Sequence, residues 1–167
     1  MSDGRVSHFL FISGALRERT SLASAELQLA HELWGLRTAL IRDNLGAYLT
    51  DHSCGLVYIL KLGICAGFKI VSGVLPPHSL DEFTRDELRA ETRYGLVRIK
   101  PLQTWKTTAE ESLALLHQVL AVPDQTELAR RLNLGMHRLT QEQYEALVKE
   151  LARIIHDGSS RNRAAAS

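Results

Sequence analysis

Cysteine is scarce: Cys54 and Cys65 are the only two in 167 residues. They lack CxxC spacing and are too few for a disulfide scaffold, so reduced thiols in a cytoplasmic protein are expected. Long apolar runs are missing as well. None reaches the ~18 residues that span a bilayer. Asp3 precedes Arg5 and the short apolar run 9–12, so neither a signal peptide nor membrane association is expected. Charge has no dominant sign, with 20 Lys+Arg against 19 Asp+Glu. That excludes a strongly basic nucleic-acid-coating protein but not a local basic patch. The enzyme motifs GxSxG, HExxH, GxxxxGK[ST] and GxGxxG are all absent. No catalytic residue, metal or cofactor is expected.

What is present reads as one ordinary globular domain. Hydrophobic residues are 45% and charged residues 23% of the chain, near the usual averages. A chain of this length buries roughly two thirds of its unfolded surface, enough for a core without staples. Residues 1–157 are expected to form that domain, with 158–167 as a flexible C-terminal tail.

The run at 8–12 is short, aromatic and closed by Ser13-Gly14, which predicts a buried strand. Leu22, Ala25, Leu29 and Leu33 recur every three or four residues, which predicts a helix ended by Trp34-Gly35. A second helix is expected over 37–45. Residues 56–60 and 68–72 predict two strands joined through 61–67, whose glycines permit a turn or bulge. Pro76-Pro77 stops the second of these strands. Residues 81–91 form a charged excursion, either a short helix or a loop. A strand over 94–100 should close at Pro101.

The last third predicts helices. Thr107 or Thr108 opens a capping box before Leu113, Leu116 and Leu120. Residues 125–132 make a short successor, and Thr140 with Gln143 opens a last helix ending near Gly158. Helix first, strands in the middle and helices last is an α+β order. The short connections require a mixed, mostly antiparallel sheet, curled into a small barrel flanked by helices.

Two places carry chemistry. Trp34 stands before a glycine, where a planar ligand can approach closely, and facing Tyr58 and Phe68 it would make a stacking pocket for a nucleobase. Between residues 92 and 108 lie Arg93, Arg98, Lys100 and Lys106 without an acid, a set suited to nucleic-acid phosphates. The pair His52 and Cys54 is better read as an ordinary polar loop than as a catalytic or metal pair. Cys65, between Ile64 and Ala66, is read as a buried structural thiol.

The ordered strings Trp34-Gly35-Leu36-Arg37, Leu56-Val57-Tyr58-Ile59, Gly63-Ile64-Cys65-Ala66-Gly67-Phe68-Lys69-Ile70-Val71-Ser72 and Arg98-Ile99-Lys100-Pro101-Leu102 resemble the EVE domain family. That family belongs to the PUA-like superfamily and is related to YTH domains. The similarity extends to Met136-His137-Arg138-Leu139-Thr140-Gln141-Glu142-Gln143-Tyr144. The resemblance implies a barrel of five or six strands and a pocket for a base, often a modified one, in DNA or RNA. It also implies a protein partner from a restriction or defence system. By the same resemblance Trp34 matches the stacking aromatic, and Ser13 and Gly14 match the pocket rim. The 61–67 segment, with Ile64 and Cys65, matches the opposite wall. A second reading, favoured by the apolar Leu62-Ile64-Cys65 turn, is a protein-interaction scaffold that keeps the barrel without binding a base.

Overall fold

The computed structural model describes residues 6–14, 19–122, 124–132 and 135–165. The strands are His8–Ser13 (β1), Leu33–Gly35 (β2), Cys54–Ile59 (β3), Gly63–Ile70 (β4), Leu96–Thr104 (β5) and Met136–Leu139 (β6). They form one curled sheet in the order β2-β5-β4-β3-β1-β6. The pair β1–β3 is parallel and every other pair is antiparallel. Helices Ser21–Ala30 (α1), Ala39–Leu45 (α2), Glu82–Leu88 (α3), Ala109–Leu120 (α4), Gln125–Leu132 (α5) and Gln141–Ala165 (α6) surround it. The result is an α+β half-barrel.

β1 is apolar from Phe9 to Ile12 because both of its faces are covered. Phe9 and Phe11 enter a cluster with Trp34, Val57, Phe68 and Val97. Leu10 and Ile12 enter a second cluster with Tyr58, Ile64, Trp105 and Leu116. The two layers alternate along the strand, as a period of two requires. α1 lies against β1, β2 and β3, whereas α4 and α6 contact each other, α4 also touching β4 and α6 touching β1 and β6.

Local chemistry sets most helix starts. Thr20 Oγ1 accepts from Ala23 N at 3.1 Å, and Thr38 Oγ1 from Ile41 N at 3.2 Å. Thr108 and Glu111 cap one another's backbone, as do Thr140 and Gln143, so both expected boxes are present.

Several expectations are corrected. α1 stops at Ala30, and Trp34 lies on a strand rather than at a helix end. Glu32 takes a left-handed φ of 54°, which breaks the helix, and its carbonyl accepts from Ile99 N. α1 buries Ser24, Ala25 and Gln28 instead of a leucine stripe. The connection between β3 and β4 is shorter than the predicted 61–67, since β4 begins at Gly63. Tyr58 pairs with Ile64 and Val57 with Ala66, so Cys65 is an extra residue that switches the faces of β4. β5 continues through Pro101 to Thr104. Phe68 opposes Pro101 and Gly67 opposes Gln103, so the proline sits at a bulge where a ladder donor is not required. Residues 82–88 of the charged excursion are helical, with Asp81 as cap. α6 runs past Gly158, and β6 is an additional strand.

Ser112 anchors α4 to the start of β4. Its buried Oγ accepts from Ile64 N at 2.8 Å and donates to Thr107 Oγ1, which in turn donates to Ile64 O at 2.8 Å. Ser112→Ala leaves that amide unpaired and is expected to cost about 1–3 kcal/mol in urea unfolding. His8 and His137 flank the β1–β6 ladder, and burial lowers both below the ordinary 6.5. The unfolded chain therefore binds their protons more readily. Stability is present above pH 6.5 and is expected to fall as pH drops through and below that value, with His137→Gln flattening the profile in melts across pH 4.5–8.

Candidate functional site

Trp34 reaches the site through β2. Its partner in register is Val97, which turns the indole onto the Phe11 side of the sheet. The ring lies edge-on to Phe11 with centroids 5.8 Å apart and stacks near-parallel on Phe68 at 6.1 Å. Only 3% of Trp34 is exposed, so it is a core residue first.

One edge of this core opens to a narrow polar recess walled by Ser13, Gly14, Gln28, Trp34, Arg37 and Arg93. Its water-accessible volume is about 10 Å³, room for roughly one water. The walls are tied down from behind. Ser13 Oγ donates to Ser21 O at 2.6 Å, and Gln28 Oε1 accepts from Gly35 N at 2.8 Å. The latter bond explains why α1 buries a glutamine: its amide satisfies a backbone N–H of β2.

Two arginines fill the space that glycines leave. A Cβ on Gly14 would stand 2.7 Å from Arg37 Nη1, and one on Gly135 2.8 Å from Arg37 Cδ. A Cβ on Gly35 would stand 2.9 Å from Arg93 Cγ and Cδ. Arg93 is only 8% exposed. Burial pushes its guanidinium down to about 10, and the like charges of Arg37 and Arg19 push the same way. Beyond Arg93 lies an open groove of about 360 Å³ lined by Arg42, Val74, Pro76 and Tyr94. The Arg42 guanidinium stands 5.8 Å from the centre of the half-exposed Tyr94 ring.

Of the residues singled out from the sequence, Ser13, Gly14, Trp34 and Arg93 meet at the recess. Phe68 stands behind the indole and does not line it. Tyr58 and Ile64 are not brought to Trp34: alternation with Val57 and Ile59 puts Tyr58 in the cluster under α4 and α6, and the Cys65 bulge puts Ile64 there as well. Cys65 lies half-buried on the Trp34 side, and burial pushes its thiol up to about 11, a structural cysteine. Leu62 is exposed, but Ile64 is fully buried, so the turn is less of an apolar patch than its sequence predicts.

The basic set divides. Arg93 turns into the recess, while Arg98 and Lys100 alternate with the buried Val97 and Ile99 and so point away from Trp34. Lys106 is exposed beyond the end of β5. Cys54 Sγ faces the His52 carbonyl at 3.8 Å rather than its ring, so no nucleophile–base pair forms there. Ser24, Gln28 and Arg37 are members of the site to which the sequence assigns no role. A signal for Arg37 is its place two residues after Gly35 with no acid between positions 33 and 42. Trp34→Ala is expected to cost about 3–5 kcal/mol of stability, seen as a large drop in melting temperature, because it empties the space between two phenylalanines.

No family model and no curated protein matches this chain. Solved structures do. The DUF55 domain of human thymocyte nuclear protein 1 is 18% identical with a TM-score of 0.58, covering 87% of this chain and 99% of that one. The YTH domain of Zygosaccharomyces rouxii MRB1 protein, solved in complex with N6-methyladenosine RNA, is 9% identical with a TM-score of 0.59, covering 89% and 85%. Rpa0253 from Rhodopseudomonas palustris is 20% identical with a TM-score of 0.56, covering 88% and 94%. A mixed half-barrel under flanking helices is shared over nearly the whole chain with these domains, so the fold is EVE/YTH-like, as the resemblance in the sequence implies.

Proposed function

We propose that this chain is a non-catalytic nucleic-acid-binding module that reads a nucleobase, a modified one in DNA or RNA, at the recess beside Trp34. The observation that carries the reading is the pair Arg37 and Arg93, which have no hydrogen-bonded or ion-paired partner among the described residues. They border a recess backed by an indole, in a fold shared with a domain solved with N6-methyladenosine RNA. Cations held without carboxylates suit a polyanion. The recess as it stands admits about one water, so a base enters when the two side chains swing outward. Tyr94 and Arg42 in the adjoining groove offer a stacking face for a neighbouring nucleotide. A cytoplasmic location and a partner from a restriction or defence system, which would act on what the module finds, belong to the same proposal through the resemblance.

One observation favours the scaffold reading instead. Trp34 is enclosed by Phe11 and Phe68, and stacking on a base needs an exposed ring face. Titration of single-stranded DNA and RNA oligonucleotides against the whole chain at several salt concentrations separates the two. On the base-reading view Arg37→Ala weakens binding and lowers the salt slope by about one unit, while Lys100→Ala on the other face leaves both unchanged. Absence of binding to either nucleic acid at low salt favours the scaffold.

A further inference from the structure

Positive charge gathers at the recess. Arg93 is nine-tenths buried, and Arg37 and Arg19 lie close enough for their charges to act on it. Its neighbours in the recess supply hydroxyls, an amide and glycine backbone, and no described carboxylate lines the walls. Burying a cation is costly where no carboxylate stands beside it to offset its desolvation. Arg19 is partly engaged, donating to Glu87 O at 2.6 Å, whereas Arg37 and Arg93 make no hydrogen bond or ion pair with a described residue.

Both arginines occupy room that glycines leave. Gly14 and Gly135 flank Arg37, and Gly35 lies under Arg93, so that any side chain at these positions would collide with an arginine. Gly35 is in turn fixed by the Gln28 amide. Two planar guanidinium forks at the rim of one recess are suited to bidentate capture of an oxyanion. A neutral methyl group would gain nothing from them, and a cationic one would be repelled.

We propose that the recess is an oxyanion receptor, in which Arg37 and Arg93 clasp a carboxylate or phosphate carried by the nucleic acid. The inference rests on the nucleic-acid reading above and narrows it, from a modified base of any kind to a group bearing negative charge. Two sources share this chemistry: a carboxylate on the pyrimidine ring, and a terminal phosphate monoester at a strand end. On binding, the two side chains swing outward to admit the anion, which supplies Arg93 with a counter-charge that no described residue of the recess gives it.

The test uses the whole chain and paired single-stranded oligonucleotides. One pair differs by 5-carboxycytosine against 5-methylcytosine at a central position, the other by a 5′-phosphate against a 5′-hydroxyl. In at least one pair the anionic member is expected to bind about tenfold tighter or more, since hydrogen bonds to charged groups commonly reach that size. The pair that discriminates identifies the source. Arg37→Gln, at a half-exposed position, and Arg93→Gln should each erase most of the preference, weakening the anionic member's binding about tenfold more than the neutral member's. Arg93→Gln should in addition raise the melting temperature of the free protein, because it removes a largely buried charge that no described carboxylate of the recess offsets; a purely structural arginine would give the opposite result.

Equal affinity within both pairs overturns the receptor even if every oligonucleotide binds, and leaves the nucleic-acid reading standing. If no oligonucleotide binds, pyrophosphate supplies the remaining arm. A rise in melting temperature with pyrophosphate that Arg93→Gln abolishes keeps the oxyanion receptor and overturns only the nucleic-acid reading. No such rise overturns both.

Discussion

The parallel pairing of β1 with β3 is the constraint on which the rest of the molecule depends. It requires the chain to leave the sheet after β1 and return beside it, and α1, β2 and α2 are that excursion. Because the pair lies inside the sheet, between β4 and β6, both of its faces must be covered. Phe9 and Phe11 on one side and Leu10 and Ile12 on the other meet that demand with adjacent residues of one strand. The recess lies where this excursion begins and passes again: Ser13 and Gly14 end β1, and Gln28, Trp34 and Arg37 come from the path that leads back to β3.

That geometry makes the recess an extension of the core rather than a feature added to the surface. The same indole that fills the space between Phe11 and Phe68 also forms the recess wall. The same glutamine that satisfies Gly35 lines its floor. Fold and site therefore share side chains, and a change at Trp34 reports on both at once. Arg37 and Arg93 are different, since the aromatic cluster does not include them.

The parts legible in the sequence are those governed by neighbours in the chain. Thr108 with Glu111, and Thr140 with Gln143, are spaced for reciprocal capping, and both caps form. The apolar strand cores around Phe11, Val57, Phe68 and Val97 are legible for the same reason. The parts that are not legible depend on distant partners. β2 has three residues, too few to show alternation, and Leu33 extends the leucine spacing of α1 so that Trp34 resembles a helix end. One extra residue at Cys65 inverts the faces of β4, which separates Ile64 from Trp34; no periodicity marks such a bulge. Likewise, Arg93 is recognisable as a cation near Trp34's strand partner, but its burial is set by Gly35 and by the other cations that gather around it across the fold.

The two strands at the margins of the sheet have a bearing on how molecules of this chain meet one another. β2 has three residues and β6 has four, so each border offers only a short row of backbone donors and acceptors. A longer β5, with nine residues, would be an inviting template for a stranger's strand, but β2 occupies part of one side of it, and β4 with the Leu75 bridge the other. Pro101 removes one donor from its distal half, and the bulge beside it twists the ladder there. Recruitment of a further strand onto this sheet is thereby discouraged at both borders, which keeps a protein with so apolar an interior from joining its copies edge to edge.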